Sequence, residues 1–323
     1  MEIRSCRFES GCNFIRWQTD ARRELSCLLG IADMLARERC ELAPETIWSH
    51  KTELGTIEKI EIQSEPGVKC KLYLCLPHKI KPPYRGFICL QGHSTGMHTS
   101  IAVDWHDEST PIMVEGDRDF AVGCMKRGIP AICLEQRCMG ENSSNPEHKP
   151  GCYVPAMQAL LYGKTILGER VFDVDRTIDY LIERGDFDSS HIGIMGNSGG
   201  GTTSMFAGAL LTRLTHIMPS CSFSYFAASI GAMNHCSCNY VPGLLRYGES
   251  ADVLGLIAPR PLVIVSGKED PIFPLEAAQA EFIRLQKIYA ASGAAQNCVH
   301  VLGDGGHQFY AEPAWREMLK FWM

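Results

Sequence analysis

No apolar run in the 323-residue chain approaches the roughly 20 residues that a helix needs to cross a bilayer, so a helical membrane protein is excluded. Lysine- or arginine-rich runs are missing too, and the net charge is −6. That balance gives no electrostatic basis for holding nucleic acid or an anionic lipid surface. The sequence has no internal repeat and no low-complexity linker, which argues against a solenoid or a string of modules. Residues 1–11 carry charges and lack the apolar centre of a secretory signal, so a cytoplasmic location is expected.

Cysteine, by contrast, is plentiful. The count is fifteen, which is odd, and Cys89, Cys133 and Cys298 sit in strand-like runs where they read as small buried hydrophobes. Free thiols in a reducing compartment are therefore expected rather than a disulfide framework. A hydrophobic content of 45% with 21% charged residues suits a large globular core. The length allows two domains, but one α/β domain with loop insertions fits the pattern better.

Residues 1–50 read as an N-terminal helical extension packing on a main domain spanning 51–323. Leu25, Leu28, Leu29, Ala32 and Leu35 recur at helical spacing, with Thr19 or Asp20 available as the N-cap. Strand-like stretches at 55–63 and 68–76 flank the turn Glu65-Pro66-Gly67 and read as an antiparallel hairpin at the sheet edge. Strands at 86–91, 130–135, 191–195, 216–221, 261–266 and 297–302 then alternate with helical segments at 120–127, around Val171, Val174, Ile178 and Leu181, at 275–289 and at 313–322. Such alternation predicts an α/β fold: a mostly parallel sheet with helices on both faces. Three insertions, 93–119, 139–170 and 222–250, follow strand ends on the side where open α/β sheets bind ligands.

The chemistry-bearing stretch is Gly196-Asn197-Ser198-Gly199-Gly200, directly after the apolar run His191-Ile192-Gly193-Ile194-Met195. Strand, G-x-S-x-G turn and helix form the context of a nucleophile elbow. The serine must stand on a sharp turn, glycines let the backbone close up around it, and the next amide opens a helix facing a developing oxyanion. These glycines do not form a phosphate loop, because the lysine of G-x-x-x-x-G-K-[ST] is absent.

Downstream, Asp270 follows the strand at 261–266 and His307 follows the strand at 297–302. The order Ser198, Asp270, His307 is that of an α/β-hydrolase. From about residue 55 onward the chain resembles that superfamily, in detail its dienelactone hydrolase and acetyl-xylan-esterase-like branches, although dienelactone hydrolases proper carry a cysteine nucleophile. The resemblance implies a serine esterase acting through an acyl-enzyme, with His307 as the base and Asp270 orienting it; Glu269 and Asp304 are neighbouring rivals for the acid.

It also puts Gln91-Gly92-His93 where the family has H-G-x, so the backbone N–H of His93 joins that of Gly199 in the oxyanion hole, while the His93 side chain has no assigned part. The segment Glu135-Gln136-Arg137-Cys138-Met139-Gly140 resembles the family's D-x-R-G-x-G, with Cys138 in place of the first glycine. Arg137 there either pins loops through carboxylates or reaches substrate. Trp105 either stacks on a sugar or anchors its loop.

Short acyl esters, acetyl esters of sugars or small molecules among them, are the expected substrates. The alternatives are a short-peptide serine peptidase of prolyl-oligopeptidase type and a non-catalytic ligand-binding protein on the same fold. Asn234-His235-Cys236-Ser237-Cys238-Asn239 is not a common zinc spacing and has no second matched pair nearby, so no metal is expected and chelators should leave activity unchanged. No cofactor is expected. The expected partner is a small ester, not nucleic acid or membrane; the N-terminal extension could serve as a dimer arm.

Overall fold

Phe87, Ile88, Cys89 and Leu90 send alternate side chains to opposite faces of their strand, and both faces are covered. Ile88 and Leu90 join one apolar cluster, Phe87 and Cys89 the other. The structure, a computed structural model, describes residues 5–322. Its strands are β1 (Glu45–Lys51), β2 (Gly55–Glu65), β3 (Val68–Pro77), β4 (Tyr84–Leu90), β5 (Ala131–Leu134), β6 (Phe187–Asn197), β7 (His216–Ser220), β8 (Leu262–Gly267) and β9 (Cys298–Gly303). Among the described residues they form one sheet in the order β1-β2-β3-β5-β4-β6-β7-β8-β9. The pairs from β1 to β3, and β3 with β5, are antiparallel; β5, β4 and β6 to β9 run parallel.

The helices are α1 (Phe14–Leu28), α2 (Ala32–Ala36), α3 (Phe120–Lys126), α4 (Tyr153–Leu161), α5 (Ile166–Arg184), α6 (Gly199–Leu210), α7 (Leu244–Tyr247), α8 (Ser250–Gly255), α9 (Leu275–Ala291) and α10 (Ala311–Trp322). On one face Leu25 of α1, Val171 and Ile178 of α5, Phe206 of α6 and Leu285 of α9 pack against the sheet. On the other, Phe120 of α3 and Trp315 and Met318 of α10 do so. Helix α5 is capped at Thr165, whose hydroxyl accepts from the Gly168 amide, and ends on Gly185 at φ 75°.

Three expectations need correcting. The hairpin β2–β3 is not the sheet edge, because β1 pairs outside it; β1 is largely exposed and lacks the apolar alternation that marks a strand. Segment 1–50 is thus not wholly helical, since its last residues join the sheet, and residues 1–4 lie outside the described ones. The N-cap of α1 is Asn13, accepting from the Arg16 amide, rather than Thr19 or Asp20, and Thr19 instead donates to the Ile15 carbonyl. No helix among the described residues is long and apolar enough to cross a membrane.

Candidate active site

Because β4, β6, β8 and β9 run parallel, their carboxyl ends open onto the same edge of the sheet. Ser198 follows β6, Asp270 follows β8 and His307 follows β9. The chain reverses its direction of travel across the sheet between β4 and β6, and Leu90 pairs with Gly196 there. That register sets Gln91-Gly92-His93 beside Asn197-Ser198-Gly199.

Ser198 has φ 56° and ψ −121°, backbone that a non-glycine residue holds only under constraint, at a typical cost of about 1–3 kcal/mol. Its amide donates to the Ser220 carbonyl at 2.9 Å. Close approach explains two of the glycines. A Cβ on Gly92 would lie 2.8 Å from the Asn197 carbonyl oxygen and 3.0 Å from the Ser198 Cβ, and one on Gly200 would lie 2.1 Å from the Leu90 carbonyl oxygen. Helix α6 starts at Gly199, so its first amides face the mouth of the sheet.

The Gln91-Gly92-His93 loop is held by side chains whose partners lie far off in the sequence. Gln91 is buried where the family carries histidine, and its Nε2 donates to Ser100 Oγ and to the Arg118 carbonyl, both at 2.7 Å. Gln136 Nε2 donates to the Gln91 carbonyl at 2.6 Å, while Gln136 Oε1 accepts from Thr203 of α6 at 2.6 Å. One amide thus couples loop and elbow helix. The buried Glu135 carboxylate accepts from the amides of Met97 (3.1 Å) and Glu141 (3.3 Å), joining the first and second insertions. Burial pushes its pKa up to about 8, against the opposing pull of those amides. Both residues stand in the segment already noted for Arg137, but their roles depend on partners distant in sequence.

On the other side His307 Nδ1 lies 2.8 Å from Asp270 Oδ2. Asp270 Oδ1 accepts from the amides of Ile272 (2.8 Å) and Phe273 (3.1 Å). Burial works to raise the Asp270 pKa, but the bond and charge of His307 together with those amides hold it below the ordinary carboxylate value. With Nδ1 engaged, Nε2 is the basic nitrogen of a neutral His307. The Phe273 ring stacks at 6.0 Å from the imidazole. The rivals differ: Asp304 is exposed and pairs with Lys268 at 2.5 Å.

Arg137 is consumed structurally. Its guanidinium meets Asp173 at 2.7 Å, Glu65 at 2.9 Å and Glu169 at 3.3 Å, pinning its loop to α5 and the hairpin. Trp105 is half-buried between loops, stacked on His106 at 3.4 Å and tilted over His148 of the second insertion at 4.3 Å. A hollow of about 380 Å³ opens beside the Gln91-Gly92-His93 loop, lined by Gln91, His93, Thr95, Ile112, Met113 and Arg118 among others, and neither Trp105 nor Ser198, Asp270 or His307 is in its wall. An apolar hollow of about 350 Å³ between Phe226, Ile230, Tyr240 and Leu244 does not include the three candidate catalytic side chains.

The Cys236-Ser237-Cys238 segment, set aside for its spacing and the lack of a second matched pair, stands close to two further donor side chains. His93 and Cys152 come from other insertions, and the four donor atoms lie within 4.8 Å of one another.

No family model matches the chain. It is 23% identical to the provisionally named hydrolase YtaP of Bacillus subtilis (strain 168) over 312 residues, 94% of this chain and 98% of that protein. Among solved structures it resembles a provisionally named acetyl xylan esterase of Bacteroides fragilis NCTC 9343, with TM-score 0.77 and 16% identity over 93% of this chain and 79% of that one. It also resembles a glucuronoyl esterase from Solibacter usitatus, with TM-score 0.70 and 17% identity over 99% and 97% of the two chains. At these identities the likeness is one of fold.

Proposed function

We propose that this chain, an α/β-hydrolase in fold, is a serine esterase that cleaves short carboxylic esters through an acyl-enzyme. The observation that carries the reading is the 2.8 Å Asp270–His307 pair, which follows parallel strands on the same edge of the sheet as an elbow serine at φ 56°. His307 Nε2 takes the Ser198 proton as Oγ attacks the ester carbonyl. The amides of Gly199 and His93 receive the oxyanion. The proton on His307 passes to the leaving alcohol, and a water activated by the same nitrogen releases the acid and restores Ser198. Asp270, kept ionised by its partners, orients the imidazole and stabilises its charged form.

An acyl group as short as acetyl, esterified to a saccharide or another small alcohol, is the proposed substrate class. The solved structures it resembles carry the names of sugar-ester hydrolases. The partner is then a small ester rather than nucleic acid or a membrane. The intact set of Ser198, Asp270 and His307 argues against a non-catalytic binding protein.

A fluorophosphonate is expected to label the wild-type chain at Ser198 and to leave Ser198→Ala unlabelled; equal labelling of both overturns the assignment. Aryl esters of increasing chain length, acetylated and methyl-esterified sugars, and aminoacyl anilides then separate the substrate classes. Preference for anilides would turn the reading to a peptidase.

A further inference from the structure

The three insertions each bring soft ligands to one point. His93 belongs to the first, Cys152 to the second, and Cys236 and Cys238 to the third. Their donor atoms all fall within 4.8 Å of one another. Cys236 and Cys238 Sγ are 3.3 Å apart, and His93 Nε2 lies 3.2 Å from Cys238 Sγ. A tetrahedral ion with metal–sulfur bonds of about 2.3 Å would hold sulfurs about 3.8 Å apart, a small adjustment from these positions. Cys152 and Cys238 are buried, and the surrounding shell of Cys138, Ala156, Ala159 and Ile166 is apolar.

A second observation comes from α5. Arg170 is 1% exposed, and among the described residues no carboxylate pairs with it. Its guanidinium donates to the Arg137 carbonyl at 2.7 Å and 3.1 Å, and its Nη2 approaches Cys152 Sγ at 3.5 Å. A buried cation without a counter-charge is costly. A divalent ion with three thiolates and one neutral imidazole carries a net charge of −1, the complement of that guanidinium.

We propose that His93, Cys152, Cys236 and Cys238 bind one zinc-class divalent ion in a closed structural site that ties the three insertions together and fixes the oxyanion loop. Four protein ligands leave no open position, so the ion takes no part in catalysis. Thiolates select a soft or borderline metal over magnesium or calcium. The three thiol protons pass to solvent as the ion binds. The consequence for the elbow is steric: a Cβ on Gly199 would lie 2.8 Å from His93 Nδ1, so the imidazole whose Nε2 holds the ion packs directly on the residue after the nucleophile. A Cys236–Cys238 disulfide would use two of the four donors and leave Arg170 without its counter-charge.

The proposal stands apart from the esterase reading, because metal content is read without activity. The full chain, expressed and purified without chelator, is expected to carry about one zinc by elemental mass spectrometry. Stripped under reductant and titrated with cobalt(II), it should develop thiolate-to-cobalt charge-transfer absorption and the intense visible bands of a four-coordinate site. Cys152→Ser and Cys236→Ser should each lose that spectrum; Cys12→Ser and Cys27→Ser, at exposed cysteines elsewhere, should keep it. Arg170→Met should weaken binding about 10–100-fold with the circular dichroism unchanged. A chain that is metal-free as purified and gives no tetrahedral cobalt spectrum under reductant overturns the proposal. So does a cobalt spectrum that survives Cys152→Ser. If the variants fail to fold, the wild-type spectrum decides alone.

Discussion

The two histidines of the candidate site, His307 and His93, are held by different means. His307 pairs with Asp270 at 2.8 Å, and both stand at the ends of β8 and β9, which are paired along their length. Sheet register brings their loops together, and backbone bonds from Lys268 to Gly303 and from Glu269 to Gly305 extend the pairing beyond the strands. His93 stands after β4 and faces thiols delivered by two other insertions, with no sheet bonding between the loops concerned. A strand-end pair inherits its precision from the core; a meeting of three loops needs its own fastening, and Gln136, Glu135 and the thiol cluster supply it. Asp270 and His307 are thus set beyond paired strand ends, and His93 among contacts between loops.

If that division holds, damage on the His307 side removes chemistry and damage on the His93 side degrades it. Ser198→Ala should lower kcat on the order of 10⁶-fold, and Asp270→Asn on the order of 10⁴-fold, measured by ester hydrolysis at saturating substrate. Stripping the metal should cost less, about 10–100-fold in kcat through a displaced oxyanion loop, and zinc should restore it. Unchanged activity after verified stripping would break the link between that cluster and the loop.

Smaller effects test the cross-links themselves. Gln136→Leu leaves the Gln91 carbonyl and the Thr203 hydroxyl without this partner and should cost about 1–3 kcal/mol in denaturant unfolding. For Glu135 the folded-state pKa of about 8 lies above the usual 4.5. The folded chain therefore keeps a proton that the unfolded chain loses, so this contribution to stability is full below 4.5 and disappears as pH rises to about 8. Glu135→Gln should flatten the decline of the melting temperature over that interval; an equally steep decline in the variant would assign the slope to another group.

Much of this was legible in the sequence. Apolar runs bounded by turn residues marked β2 to β9, and the order Ser198, Asp270, His307 at strand ends marked one side of the site, because order along the chain becomes order along a parallel sheet. Strand β1 escaped because its stretch, Glu45-Thr46-Ile47-Trp48-Ser49-His50-Lys51, is exposed and gains its place only by pairing with β2. Arg137 was recognisable as a loop pin or a substrate contact, and the three carboxylates on it decide for the pin. Gln91 read only as a departure from a histidine motif, since Ser100 and Arg118, which fix it, carry no local signal. The Cys-x-Cys segment looked incomplete for a related reason. His93 and Cys152, which stand beside it, lie in two other insertions, and loops that meet only in three dimensions leave no spacing to read.

In the proposed mechanism Ser198 forms a covalent acyl intermediate. The most direct measurement is rapid acid quench of the enzyme turning over an activated aryl acetate, followed by peptide mass spectrometry. One acetyl group on Ser198, accumulating in a burst before steady turnover and absent from Ser198→Ala, is the predicted result. Acetylation confined to another residue, or hydrolysis by Ser198→Ala at the wild-type rate, would contradict it.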